Sequence, residues 1–260
     1  MSEAILIVSA SIAPLQAEPR AGSEQVSQRL AGHRLEPLEV RSPWLRVRGS
    51  DGYEGWVHSG YAHTLSAREA AARYRVGRVS LGCVVREADG MRRSLPIGAI
   101  LADDAVVEIG TALPPADLIQ RFPRAADAVV ATAVDMFAGA PYQWGGITPW
   151  GADCSGFVQT VFALHGVAVP RDARQQAQRG ADAGRDLTRL RPADLLFFSD
   201  HPDGRITHVG IATGEVATRI VHISLGRGGY ATEDVGARDD PYAAELVARF
   251  RFARRVRIAE

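Results

Sequence analysis

Gly151-Ala152-Asp153-Cys154-Ser155-Gly156 runs directly into Phe157-Val158-Gln159-Thr160-Val161-Phe162-Ala163-Leu164. Phe157, Val158, Val161, Phe162 and Leu164 recur at helical spacing and define one apolar face. A helix is therefore predicted from Ser155 onward, with Cys154 at or near its N-terminus. Unpaired backbone N–H groups carry partial positive charge there, which favours a thiolate. A thiolate is the form of cysteine that attacks carbonyls. Asp153 has two readings at this stage: a helix cap that orders the turn, or a contact to substrate.

A nucleophile needs a base. Arg205 to Thr213 reads as a strand carrying His208, and Arg219 to Ser224 as the next strand, carrying His222. A cysteine at a helix start, packed against a sheet that presents one histidine oriented by a second polar group, is the thiol version of a Ser-His-Asp arrangement. In that arrangement His208 takes the thiol proton and returns it to the leaving amine, while His222 holds the useful tautomer.

From about Ala128 to Glu260 the chain resembles the papain-like NlpC/P60 family of cell-wall peptidases. The resemblance is carried in order by Pro141-Tyr142-Gln143-Trp144-Gly145-Gly146, then ADCSGF, Val169-Pro170-Arg171-Asp172, Leu190 to Phe198, THVGI and VHIS. It implies an α+β fold with a papain-like catalytic domain. It also implies that Cys154, His208 and His222 form the triad, that no cofactor or metal is needed, and that Tyr142 stands beside the reaction centre. Trp144 is expected in the core.

The first half is organised differently. Residues 4 to 62 show short alternating stretches (Val26 to Leu30, His33 to Val40, Trp44 to Val47, Gly55 to His58) separated by Pro, Gly and Ser, which reads as a small barrel. Pro43 to Arg48 and Asp51-Gly52-Tyr53-Glu54-Gly55-Trp56-Val57 resemble bacterial SH3-like domains. Ser66 to Tyr74 reads as a Ser-capped helix, residues 76 to 112 as further strands, and Ala116 to Phe137 as helical with Pro123 placed to break it. The expected organisation is an SH3-like domain at 1–65, a second, divergent SH3-like unit with a linker helix at 66–122, and the papain-like domain at 123–260.

With this domain order the chain is similar to γ-D-glutamyl-L-diamino acid endopeptidases. That resemblance implies an SH3-like roof that recognises a free N-terminal L-alanine on a murein tri- or tetrapeptide. It points to Asp172, Ser155, Tyr53 and Glu18 as substrate-binding residues, alongside Tyr142 and Asp153. A charged amine taken from water needs acceptors and a counter-charge. Ala173 departs from the pattern, since a small hydroxyl residue is common there.

Composition sets wider bounds. The 260 residues are 46% hydrophobic and 23% charged, with zero formal net charge. No basic footprint argues for nucleic acid or an anionic membrane. Cys83 and Cys154 are the two cysteines; a bridge between them would remove the nucleophile, so both are read as free thiols, which fits a reducing compartment. Met1 to Val8 has no basic stretch and its apolar run stops at Ser9, so a cytoplasmic location and a role in wall-peptide recycling are expected. The competing readings are a thiol amidase or acyltransferase on another amide or lipid, and a non-catalytic wall-binding module. His33, His58, His63, His165 and His201 lack ligand spacing. Gly226-Arg227-Gly228-Gly229 reads as a turn, and Arg251 to Arg257 as an edge strand with charged outward positions. Oligomeric state is left open.

Overall fold

The computed structural model describes residues 4–214, 218–237 and 239–258. The chain divides into two compact units, Met1–Arg121 and Phe122–Glu260.

Seven antiparallel strands form the larger sheet of the first unit: β1 (Ala4–Val8), β2 (Ile12–Gln16), β3 (Gln25–Leu30), β4 (Arg34–Arg41), β5 (Trp44–Arg48), β6 (Glu54–His58) and β7 (Ala62–Ser66). Their order is β3-β2-β6-β5-β4-β1-β7. Alternation decides which face is buried: Ala13 and Leu15 are fully buried while Ile12, Pro14 and Gln16 between them are not. Leu6, Val8, Leu35, Val47 and Val57 complete that core. Helix α1 (Ala67–Arg73) follows, opened by Ser66 and Glu69 in a reciprocal capping box. Then come β8 (Val79–Arg86), β9 (Arg92–Leu95) and β10 (Val106–Leu113), a three-stranded sheet of order β10-β8-β9. It joins the first sheet through Ile100 N–H to Ala31 O (2.8 Å) and His33 Nε2 to Gly98 O (3.0 Å). Helix α2 (Pro115–Arg121) closes the unit.

The second unit starts with α3 (Ala126–Phe137), so the predicted helical run is interrupted around Pro123, which fixes φ and lacks an N–H. After β11 (Ile147–Thr148) and β12 (Gly151–Ala152) comes α4 (Cys154–Leu164), then α5 (Ala173–Gln176). The main sheet is β13 (Ala181–Gly184), β14 (Leu195–Phe198), β15 (His208–Ala212), β16 (Arg219–Ser224) and β17 (Gly229–Asp234). It is completed after α6 (Pro241–Arg249) by β18 (Phe250–Arg255), in the order β13-β18-β14-β15-β16-β17. Both faces are covered. Leu195 and Phe197 pack with Phe137, Phe157 and Phe162 from α3 and α4. Leu196 and Phe198 alternate to the other side, with Ile220 and Leu246. That is why β14 reads as an unbroken apolar run.

Three expectations change. The strand near the C-terminus is not at the edge, because β13 pairs along its outer side. Its arginines are engaged: Arg255 clamps both oxygens of Asp194 (2.8 and 2.6 Å) and Arg254 donates to Ala177 O (3.0 Å). Trp144 is not core but 58% exposed. It lies in a tight turn closed by Gly146 N–H to Gln143 O (2.9 Å), which carries its side chain outward. Strand β15 begins at His208, three residues later than predicted, since Thr207 is tied into a turn with Asp200 (2.7 Å). Among the described residues no helix is long and apolar enough to cross a membrane.

Candidate active site

The site is built from the N-terminus of α4. Asp153 takes extended backbone angles and its Oδ1 accepts the Gly156 N–H at 2.7 Å, which caps the helix. Its Oδ2 accepts the Gly145 N–H at 2.8 Å, tying the PYQWGG turn to the helix start. Arg171 then donates to both oxygens, at 3.0 and 2.6 Å, with its side chain 1% exposed. Ser155 shares in this cluster: its hydroxyl donates to Asp153 (3.2 Å) and accepts from Arg171 (2.9 Å). Asp153 and Ser155, both expected to touch substrate, thus spend their polar atoms inside the protein. Of its two readings, Asp153 shows the cap. Gly156 has its own reason: a Cβ there would collide with the Gly146 carbonyl, so the helix and turn approach this closely only without one.

This platform presents Cys154, which is 8% exposed. It shares a core with Val209, the residue after His208 on β15, and the backbone N–H groups of Val209 and Ser155 favour its charged form. His208 Nε2 lies 2.8 Å from His222 Nδ1, with the rings edge to face at 5.0 Å between centroids. His222 is fully buried on β16. The structure therefore brings Cys154 against β15 and joins the two predicted histidines directly. Among the described residues no hydrogen bond links the thiol to either imidazole; such contacts commonly tighten when substrate enters.

Burial, reinforced by Asp153, pushes the Cys154 thiol up to about 12, against the weaker pull of the Val209 N–H and Arg171. The expectation of a thiolate from the helix terminus alone is thereby corrected: in the resting site desolvation outweighs the N–H groups. Burial, with His222 and Arg249, also holds His208 down to about 3. The resting pair is thus neutral thiol and neutral imidazole. A base acts in its neutral form, and a depressed pKa keeps it neutral to lower pH. The acid limb of kcat/KM is therefore expected below the ordinary histidine value of about 6.5. Initial rates between pH 4 and 8 check this; a limb at or above 6.5 would mean that His208 works in a different environment. The same shift costs stability as pH falls from about 6.5 towards 3, because the unfolded chain binds that proton and the folded one resists it.

Tyr142 is half-buried, its N–H bonded to Gly228 O (2.9 Å). Burial first, then the proximity of Cys154 and Asp153, raises its hydroxyl well above the usual range, so it stays protonated. Asp172 is half-buried at the start of α5 and makes no capping bond there. In the first unit Tyr53 is half-buried beside the barrel core, and Glu18 is exposed and paired with Arg20 at 2.8 Å. Two residues had no assigned role in the sequence reading. Arg171 carried a signal, since a carboxylate beside a buried nucleophile demands a cation. Glu233 did not. It is 5% exposed, 3.7 Å from His222 Nε2, and doubly bonded by Arg227.

Comparison with known proteins bears on the same elements. The NlpC/P60 family description matches residues 139–235, and a bacterial SH3 domain matches residues 13–63. Dipeptidyl-peptidase 6 of Lysinibacillus sphaericus is 30% identical over 253 residues, 85% of this chain and 88% of that protein. The chain belongs to the NlpC/P60 family. Among its NlpC/P60 relatives, Gamma-D-glutamyl-L-lysine dipeptidyl-peptidase of Bacillus subtilis is 42% identical over 107 residues, 36% of each chain. The matched stretch thus spans about a third of that relative's length. An NlpC/P60 protein of Bacillus cereus has a solved structure that superposes with a TM-score of 0.77 at 19% identity, over 99% of this chain and all of that one, which shows the shared fold. The expected α+β architecture, with SH3-like strands preceding an NlpC/P60 domain, agrees with these matches.

Proposed function

We propose that this NlpC/P60 protein is a cysteine endopeptidase that hydrolyses the γ-D-glutamyl-L-diamino acid bond of murein peptides carrying a free N-terminal L-alanine. The observation that carries this reading is the placement of Cys154 at the start of α4, in one core with Val209, the residue after His208, together with the direct His208–His222 contact. On substrate entry His208 removes the thiol proton and sulfur attacks the γ-carbonyl carbon. The carbonyl oxygen becomes an oxyanion, stabilised by backbone N–H groups at the helix start, that of Cys154 among them. The C–N bond then breaks, with His208 returning the proton to the diamino acid amine. Water, deprotonated by the same imidazole, hydrolyses the thioester and regenerates the thiol.

The relatives' names support release of a dipeptide. Cutting two residues from an amino end requires that the end itself be recognised. Asp172, Tyr53 and Glu18 are our candidates to bind the L-alanine amine, with Tyr142 beside the scissile carbonyl; Asp153 and Ser155 act by holding the helix start. The exposed Glu18–Arg20 pair is weak enough to exchange for a ligand. Selectivity for a free amine would direct the enzyme to peptides already released from the wall, a recycling role.

Mass-spectrometric cleavage of L-Ala-γ-D-Glu-meso-diaminopimelate, beside its N-acetylated form, tests the reading. The free peptide is expected to yield L-Ala-D-Glu, with kcat/KM about 10²-fold or more above the acetylated one, because acetylation removes the positive charge and the donors that the candidate carboxylates would meet. Equal cleavage keeps the peptidase and rejects amine recognition. Cleavage of neither, with activity on other amides or esters, favours an amidase or acyltransferase.

A further inference from the structure

Behind the histidine pair lies a buried carboxylate that no step above uses. Glu233 sits on β17 opposite Ile220, while His222 is opposite Ala231. Glu233 and His222 are thus diagonal neighbours on one face, within reach of a long side chain. Arg227, from the turn before β17, donates Nε to Oε1 (2.7 Å) and Nη2 to Oε2 (3.0 Å) of Glu233. Arg227 is itself held by Asp240 (2.9 Å) and lies 4.2 Å over the Tyr242 ring. Burial alone would raise the Glu233 carboxyl, but His222 and Arg227 outweigh it and bring it down to about 2. His222 Nε2 is buried and has no closer hydrogen-bond partner among the described residues.

We propose that Glu233, clamped by Arg227, is a positioning residue that sets the tautomers of both histidines; this rests on the assignment of His208 as base. A carboxylate only accepts, so the atom facing it carries the proton: His222 is the Nε2–H tautomer. Its Nδ1 is then an acceptor, which requires a proton on His208 Nε2. Neutral His208 is left with an unprotonated Nδ1, the atom available to take the Cys154 proton. Once it has done so, the imidazolium keeps its Nε2–H on His222, with the negative charge of Glu233 behind. No proton travels along the chain; the carboxylate fixes direction and favours the charged state.

Glu233→Leu tests this by removing the acceptor at similar volume, while Arg227 keeps Asp240 as a partner. With no carboxylate behind it, His222 Nε2 no longer holds a fixed proton, and both imidazoles populate the Nδ1–H tautomer, in which His208 cannot accept the thiol proton. Nitrogen-15 shifts of the imidazoles and the pH dependence of Cys154 alkylation by iodoacetamide both read the site without any murein substrate. In the wild type both histidines are expected as Nε2–H, and in the Leu variant as a mixture with Nδ1–H. With kcat measured on the tripeptide, the Leu variant is expected to lose about 10-fold or more at nearly unchanged KM. Glu233→Gln keeps an oxygen at the position shared by Arg227 Nε (2.7 Å) and His222 Nε2 (3.7 Å), so it retains the acceptor and is expected to keep the tautomers and most of the rate.

Arg227→Met removes the clamp and leaves the carboxylate. Glu233 then faces His222 without its cation, Asp240 and Tyr242 lose the guanidinium but keep the helix cap and Ser224, and Arg249 still acts on His208. Burial would raise the Glu233 carboxyl and shift the acid limb of alkylation to higher pH. Identical tautomers in wild type and Leu variant, wild-type kcat in the Leu variant, or an unmoved acid limb in Arg227→Met would each overturn the proposal. Failure of the wild type to cut murein peptides, with the tautomers as stated, would reject the substrate reading and leave this one standing.

Discussion

Cys154→Ser is expected to lower kcat for the γ-D-glutamyl tripeptide by about 10⁴-fold or more while the protein stays folded. The two halves of that expectation have different sources. A hydroxyl is far harder to deprotonate than a thiol, and the site already opposes charge: burial raises the thiol itself to about 12. Burial holds His208 below its ordinary value, and an alcohol is several pK units harder for such a base to deprotonate than a thiol in the same place. The fold is spared because serine is close to cysteine in size and fits its place in the core. Cys154→Ala fits there too and is expected to lose the same turnover. Comparing kcat and thermal midpoints of the two variants separates chemistry from folding. Substantial turnover by both would place the nucleophile elsewhere, and the peptidase mechanism would fall with it.

Much of this site was legible in the sequence because its parts are local. Helical spacing after Cys154 located α4, and two alternating stretches located the strands of His208 and His222. What could not be read were the partners brought by long-range pairing. Arg171 reaches Asp153 across the loop after α4, and Glu233 reaches His222 through a strand register that no residue spacing announces. The charge state of Cys154 was misjudged for a related reason. The helix terminus is visible in the sequence, whereas the desolvation that overrides it comes from the sheet packed against it. Trp144 fails in the opposite sense: aromatic character suggested core, but the tight turn it makes with Gly145 and Gly146 carries it to solvent. The C-terminal strand looked like an edge because its basic residues alternate. Its neighbour β13, which has only four residues and little apolar character, left no pattern to find.

Arg171→Leu is expected to destabilise the catalytic unit by about 3–5 kcal/mol, a large share of the roughly 5–15 kcal/mol that holds a domain folded. The arginine side chain is 1% exposed and its partner Asp153 10%. Removing the guanidinium strands a carboxylate that water barely reaches. The cap bond to Gly156 and the tie to Gly145 remain, but neither supplies a positive charge. Neutralising the acid as well should recover part of the loss, so Arg171→Leu with Asp153→Asn is expected to be more stable than the sum of the two single changes. Urea denaturation of the four proteins measures that coupling. A cost below about 1 kcal/mol for Arg171→Leu, or no coupling, would mean that Asp153 is hydrated and free to meet substrate, which would restore its other reading. If the coupling is found, the fall in kcat that accompanies it at temperatures where the variant is still folded follows from geometry: the same carboxylate that Arg171 neutralises sets the first turn of α4, and the thiol sits on that turn.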